Sequence, residues 1–136
     1  MLTSRQSLKD LVYQVNGAAI EVHKALGPGL LESVYHRCLE KELQLRNISY
    51  ISENIIDVEY KGILVYTALR VDLLVENCLV VELKSVESIH PIHEAQILTY
   101  MKLLRAPKGL LINFNCVNII HNGKKTFVNE LYRDLS

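Results

Sequence analysis

The chain has 136 residues, 49% of them hydrophobic, and its 15 basic residues balance 15 acidic ones to a formal net charge of zero. That size suits one domain over 1–136, and that apolar share supports a packed core and argues against disorder. A neutral chain lacks the basic excess that phosphate neutralisation gives most free-standing binders of duplex nucleic acid, so composition gives nucleic-acid binding no support.

Met1–Asp10 contains no apolar signal-peptide segment. From Leu8 the apolar positions Leu8, Leu11, Val12, Val15, Ala19, Val22 and Leu26 recur at helical spacing. Gly27-Pro28-Gly29 breaks the helix, and a second is predicted from Leu30 to Arg46, with Leu31, Val34, Tyr35, Cys38, Leu39 and Leu43 facing inward. After Asn47 the texture turns β-branched. Strands are predicted over Ile48–Glu59 and Ile63–Ala68, either side of a Tyr60-Lys61-Gly62 turn, then over Arg70–Val75 and Leu79–Lys84. Pro91 suits the first position of a helix that runs to Leu104, with Ile97, Met101 and Leu104 toward the core. Gly109–Phe114 and Val117–His121 read as strands, the second turning through Asn122-Gly123 into Thr126–Val128. The order ααββββαβββ predicts an α/β domain, a central mixed β-sheet flanked by helices. No apolar run approaches the roughly 20 residues that cross a bilayer. Cys38, Cys78 and Cys116 show no CxxC spacing, so free thiols in a reducing cytoplasm are expected.

The chemistry concentrates in Arg70–Lys84, where Asp72, Glu82 and Lys84 interrupt two apolar strands. A charge in a core strand is unfavourable unless it is paired or holds a metal. Strand side chains alternate faces, so Arg70 and Asp72 share one face of their strand, and Glu82 and Lys84 share one face of the next. A three-residue loop at Glu76-Asn77-Cys78 sets Asp72 opposite Glu82, whereas a two-residue loop puts the acids on opposite faces. Asn77 tolerates the left-handed backbone that such loops use. Two facing carboxylates repel when ionised, and a divalent cation relieves this; their oxygens favour Mg²⁺ or Mn²⁺ over zinc. Lys84 would then hold a water or stabilise charge on a phosphate, an arrangement suited to phosphodiester hydrolysis. The competing reading is an internal ion pair of Lys84 with Asp72 or Glu82, and an ion pair is also the expected role of Arg70. His90, His93 and Glu94 do not match the HExxH spacing of a zinc helix and read as helix-start residues. His23 reads as structural, and no cysteine has a neighbouring base that would make it a nucleophile.

Asp72 followed by Glu82-Leu83-Lys84 resembles the signature of the PD-(D/E)xK nuclease superfamily. Gly29-Leu30-Leu31-Glu32-Ser33-Val34-Tyr35 matches the motif of the GxxExxY family, as do the stretches Glu21–Gly29, His93–Tyr100 and Gly109–Phe114. The resemblance covers roughly residues 10 to 128. It implies a restriction-endonuclease-like fold, with Asp72 and Glu82 as metal-binding acids, the Leu83 backbone carbonyl joining the coordination, and Lys84 as the catalytic lysine. It also implies Glu32 as an acid from an early helix and Gln96 as an orienting residue from the third helix, where the spacing of His93, Gln96 and Tyr100 makes a polar stripe opposed to Ile97 and Met101. Glu32, Tyr35, Leu39 and Glu42 fall on one helical stripe, which points Glu32 toward the core edge. The alternative role for Glu32 is simply to favour the positive end of its helix.

The leading expectation is a Mg²⁺- or Mn²⁺-dependent nuclease acting on DNA or RNA. Nucleic acid is the implied partner, although the net charge does not speak for it. A homodimer would give a small nuclease one site per strand, but no sequence feature marks an interface. The alternative is a non-catalytic interaction or regulatory module that keeps the nuclease-like fold.

Overall fold

Ser4 caps the first helix: its hydroxyl accepts the Ser7 N–H (3.0 Å) while Ser7 Oγ accepts the Ser4 N–H (2.8 Å). The computed structural model describes residues 3–136; Met1 and Leu2, the start of the stretch read for a signal peptide, lie outside it. Helix α1 (Arg5–Leu26) buries Leu8, Val12, Val15, Ala19 and Val22, the spacing expected, and stops at Gly27, whose φ of 70° suits glycine. Helix α2 (Glu32–Leu45) buries Tyr35, Leu39 and Leu43. None of the helices among the described residues is long and apolar enough to cross a membrane.

Five strands form one mixed sheet in the order β1 (Tyr50–Ile55), β4 (Arg70–Val75), β5 (Leu79–Lys84), β6 (Lys108–Asn113), β7 (Lys124–Val128). Only β5 and β6 run parallel, joined through helix α3 (Pro91–Leu104). The alternation of side chains divides the core. Leu73, Val75, Val81, Leu83, Leu110 and Ile112 pack under α1 and α2. Leu74, Val80 and Leu111 pack under α3, against Ile97, Tyr100 and Met101. This is the expected class, a mixed sheet with helices on it.

Three details differ from the sequence reading. The predicted strand Ile48–Glu59 is two strands, because buried Ile56 turns away to bond Leu69 (N–H to O, 2.9 Å). The second piece, β2 (Val58–Tyr60), pairs with β3 (Ile63–Val65) in a separate ribbon around Lys61 and Gly62, both at positive φ. The predicted strand Val117–His121 is instead mostly a π-helical turn, Ile119–Gly123. Asn118 closes it by accepting the His121 N–H on its side chain (3.2 Å) and the Asn122 N–H on its carbonyl (2.9 Å). The Asn122-Gly123 signal therefore lies within this turn, and β7 follows directly, paired with β6. A short helix α4 (Glu130–Arg133), capped by Asn129, was not foreseen.

Candidate active site

The turn between β4 and β5 is the three-residue one. Glu76 and Asn77 both take left-handed φ (51° and 55°), and the Cys78 N–H returns to the Val75 carbonyl at 3.1 Å. The register Leu73–Val81, Leu74–Val80, Val75–Leu79 runs on to set Asp72 across from Glu82. There the side chains take over from the ladder. Glu82 Oε1 accepts the Asp72 N–H (3.1 Å), and Asp72 Oδ2 accepts the Leu83 N–H (2.8 Å). On the other side of β4, the pairing skips Glu53, the residue across from Asp72, which sits at a φ of 51°. Each acid is thus clamped by the neighbouring strand's backbone.

Glu82 is only 7% exposed, and its carboxyl is pushed up to about 8. Burial is the main cause and the Asp72 charge the next; the Asp72 N–H and Lys84 act in the opposite sense. Leu83 puts its side chain in the core under α1 and α2, so only its backbone serves the site. Lys84 is half-buried, and among the described residues no carboxylate lies within 4.0 Å of its ammonium. The competing reading, an internal ion pair of Lys84 with Asp72 or Glu82, is therefore not borne out among the described residues. Nor does Arg70 form one: it is exposed at the start of β4. The exit of β5 is fixed by Asn113, whose Oδ1 accepts the Val86 N–H (3.1 Å) and whose Nδ2 donates to the Val86 carbonyl (3.0 Å).

Glu32 reaches the same place from α2. Its carboxyl is raised, chiefly by burial; Lys84 opposes the shift and the Asp72 charge adds to it, so all three belong to one electrostatic site. The preceding loop is pinned by Tyr35, whose hydroxyl donates to the Gly27 carbonyl (2.5 Å) and accepts the Leu30 N–H (3.1 Å). Ser85, just past β5, donates to the Leu30 carbonyl (2.6 Å). In this loop Gly29 supplies a φ of 98°, Glu32 begins the helix, Tyr35, one turn on, ties the loop to itself, and Ser85 ties it to the end of β5. The spacing of glycine, acid and tyrosine thus has a structural cause.

On α3 the placement differs from the expected polar stripe of His93, Gln96 and Tyr100. Gln96 is exposed, and its side chain makes no hydrogen bond among the described residues. Tyr100 is instead buried with Ile97 and Met101, and its phenol is raised, mainly by burial and then by the charges of Glu82 and Asp72. His93 is lowered by burial first, then by Lys84 and His90. Its Nδ1 accepts the His90 N–H (3.1 Å), the expected helix-start role. Sequence reasoning paired Tyr100 with Gln96 rather than with the acids. The four-residue step from Gln96 was its only signal, and that step puts both on one face without saying which turn of the helix is covered. His23 is structural as read, its Nε2 at 2.9 Å from the Cys116 carbonyl.

Asp72 and Glu82 each commit one carboxylate oxygen to a main-chain N–H, and the two carboxyls also act directly on each other. No group of three or more His, Cys, Asp or Glu there is placed to hold a metal. Two carboxylates, an adjoining backbone carbonyl and water make an all-oxygen set, which suits Mg²⁺ because that ion keeps several waters. The residues present fit such an ion.

The sequence model of the PD-(D/E)XK nuclease superfamily matches residues 9–126. Neither the curated proteins nor the solved structures compared with the chain give a match. The match runs from α1 into β7 and includes both clamped acids and Lys84. The five-stranded mixed sheet flanked by helices is consistent with the restriction-endonuclease-like architecture. With the family match over most of its length, the chain belongs to the PD-(D/E)XK nuclease superfamily.

Proposed function

We propose that the protein is a Mg²⁺- or Mn²⁺-dependent nuclease that hydrolyses phosphodiesters of DNA or RNA, in the GxxExxY branch of its superfamily. One observation carries this reading: two mutually clamped acids stand beside a lysine that none of the described carboxylates neutralises. Folding alone has no use for that combination, because a buried acid pair without a cation is unfavourable.

Asp72, Glu82 and the Leu83 carbonyl would hold the ion, which neutralises phosphate charge and acidifies water when bound. Lys84 then stabilises the charge that builds on the phosphate oxygens. Glu32, raised by burial and within the electrostatic reach of Lys84, orients or deprotonates the attacking water. Gln96, being exposed, would orient bound substrate from the rim of α3.

The zero net charge favours the other reading, a non-catalytic interaction or regulatory module. Incubation of the purified protein with single- and double-stranded DNA and RNA, with Mg²⁺ or Mn²⁺ and with Lys84→Ala as control, separates the two. Cleavage by the wild type that Lys84→Ala loses supports the nuclease. Absence of cleavage under every metal and substrate moves the assignment to the module.

A further inference from the structure

On the α3 face of the sheet, one strand over from Glu82, lies a cavity of about 180 Å³. Ile89 and Leu111 give it apolar walls, and Asn122, Lys124, Glu94 and Lys125 give it polar ones. Its relation to the acids follows from register. Leu111 is the partner of Glu82 on one side and of Lys125 on the other, so Glu82, Leu111 and Lys125 form one row across three strands. Paired residues point to the same face, and Leu111 packs toward α3. Two strand spacings separate the ends of this row by roughly 10 Å.

Lys125 is held ready at the far end. Its ammonium bonds Glu94 Oε1 at 2.7 Å and lies 5.6 Å from the Phe127 ring centre, yet its side chain remains 59% exposed. An ammonium has three donors, and Glu94 takes one, so an anion entering the cavity meets a positioned cation. The apolar walls suit the flat, weakly polar faces of a base or the carbons of a sugar.

We propose that this cavity is the subsite for the nucleotide next to the scissile phosphate, with Lys125 holding that nucleotide's phosphate. The proposal rests on the nuclease reading and extends it to a binding site on the strands beside the acids. Glu94 acts as a positioning residue that keeps Lys125 over the cavity and competes with the phosphate.

The test is fluorescence anisotropy with labelled oligodeoxythymidylate and oligouridylate, in a Lys84→Ala background that suppresses cleavage. Adding Lys125→Ala should weaken binding about tenfold. It should also flatten the dependence of log affinity on log salt by about 0.7. Lys125→Arg should restore both, and Glu94→Gln should tighten binding. Lys61→Ala, on the β2–β3 turn, should change nothing. If the Lys84→Ala protein binds either oligomer while Lys125→Ala leaves affinity and salt slope unchanged, the subsite is wrong and the nuclease reading stands. If neither oligomer binds at all, the subsite is wrong, and the nuclease reading falls with it only when labelled double-stranded DNA and RNA also fail to bind.

Discussion

Tyr35 and Phe114 stack face to face, their ring centres 4.5 Å apart and their planes 4° from parallel. Phe114 follows β6 directly, and its N–H donates to the Lys84 carbonyl at 2.9 Å. The stack therefore joins the helix that carries Glu32 to the strand end that carries Lys84, and the Tyr35 hydroxyl anchors the loop between α1 and α2.

Tyr35→Phe keeps the stack and deletes the hydroxyl. The Leu30 N–H and Gly27 carbonyl then lose their partner, which should destabilise the fold by about 1–2 kcal/mol. Urea denaturation measures this, and nuclease activity should fall further than stability because Glu32 loses its fixed entry. A variant with wild-type stability and activity would show that the hydroxyl anchors nothing.

Glu82 sets a pH dependence of stability. Its carboxyl is raised from 4.5 to about 8, so between those values the folded chain keeps a proton that the unfolded chain has released. Its contribution is fully present below pH 4.5, declines as pH rises toward 8, and is level above that. The loss is on the order of a few kcal/mol. Comparing wild type with Glu82→Gln across this range isolates it: the wild type should lose stability relative to the variant as pH rises. Parallel curves would place the proton elsewhere.

Cation binding should compete with the same proton. Apparent Mg²⁺ affinity should increase with pH until about 8, and calorimetry in buffers of different ionisation enthalpy should detect proton release. Asp72→Asn should lower the affinity at least about tenfold, since it removes one of the two proposed carboxylate ligands. Undiminished Mg²⁺ binding by Asp72→Asn would refute the assigned ligands.

Lys84→Ala should retain the fold, because the ammonium forms no ion pair within 4.0 Å among the described residues. Its cleavage rate should drop by about 10² or more, the usual consequence of losing a charge-stabilising donor. Thermal unfolding and single-turnover kinetics report the two effects separately. A loss of stability in step with activity would make the lysine structural.

Gly123→Ala tests how the π-helical turn is locked to the sheet. A Cβ there would lie 2.7 Å from Cys116 Sγ and 2.8 Å from the Asn113 carbonyl oxygen. Overpacking of this kind should destabilise by about 1–3 kcal/mol, read from thermal unfolding. It should also disturb Asn113, whose amide fixes the segment after Lys84. A stability equal to wild type would mean that the turn has slack the geometry does not show.

Much of this was legible from residues alone. The period-two alternation of β4 and β5 placed Asp72 with Arg70, and Glu82 with Lys84, before any contact was known. It also reduced their meeting to one condition, an odd-numbered loop. The helices α1, α2 and α3 followed from apolar spacing and from Gly27 and Pro91, because these are local signals. Val117–His121 was misread because its β-branched residues favour a strand locally. The Asn118 cap and the close packing of Gly123 against Asn113 and Cys116 override that preference, and both depend on the surrounding structure.

The sequence by itself determined the residue types of the site, the faces of the strands that bear them, and the class of fold. Tertiary structure decided that Glu76 and Asn77 both adopt left-handed backbone, and so that Asp72 meets Glu82. It also brought Glu32 to Lys84 through the Tyr35 loop. The packing of Ile97 and Met101 under the sheet buried Tyr100 within reach of the acids' charges and left Gln96, one turn earlier on the same face, exposed. The physical reason is separation along the chain. Periodicity and turn chemistry act between neighbours, whereas the relation of Glu32 to Lys84, or of Tyr100 to Glu82, exists only after distant apolar faces have packed.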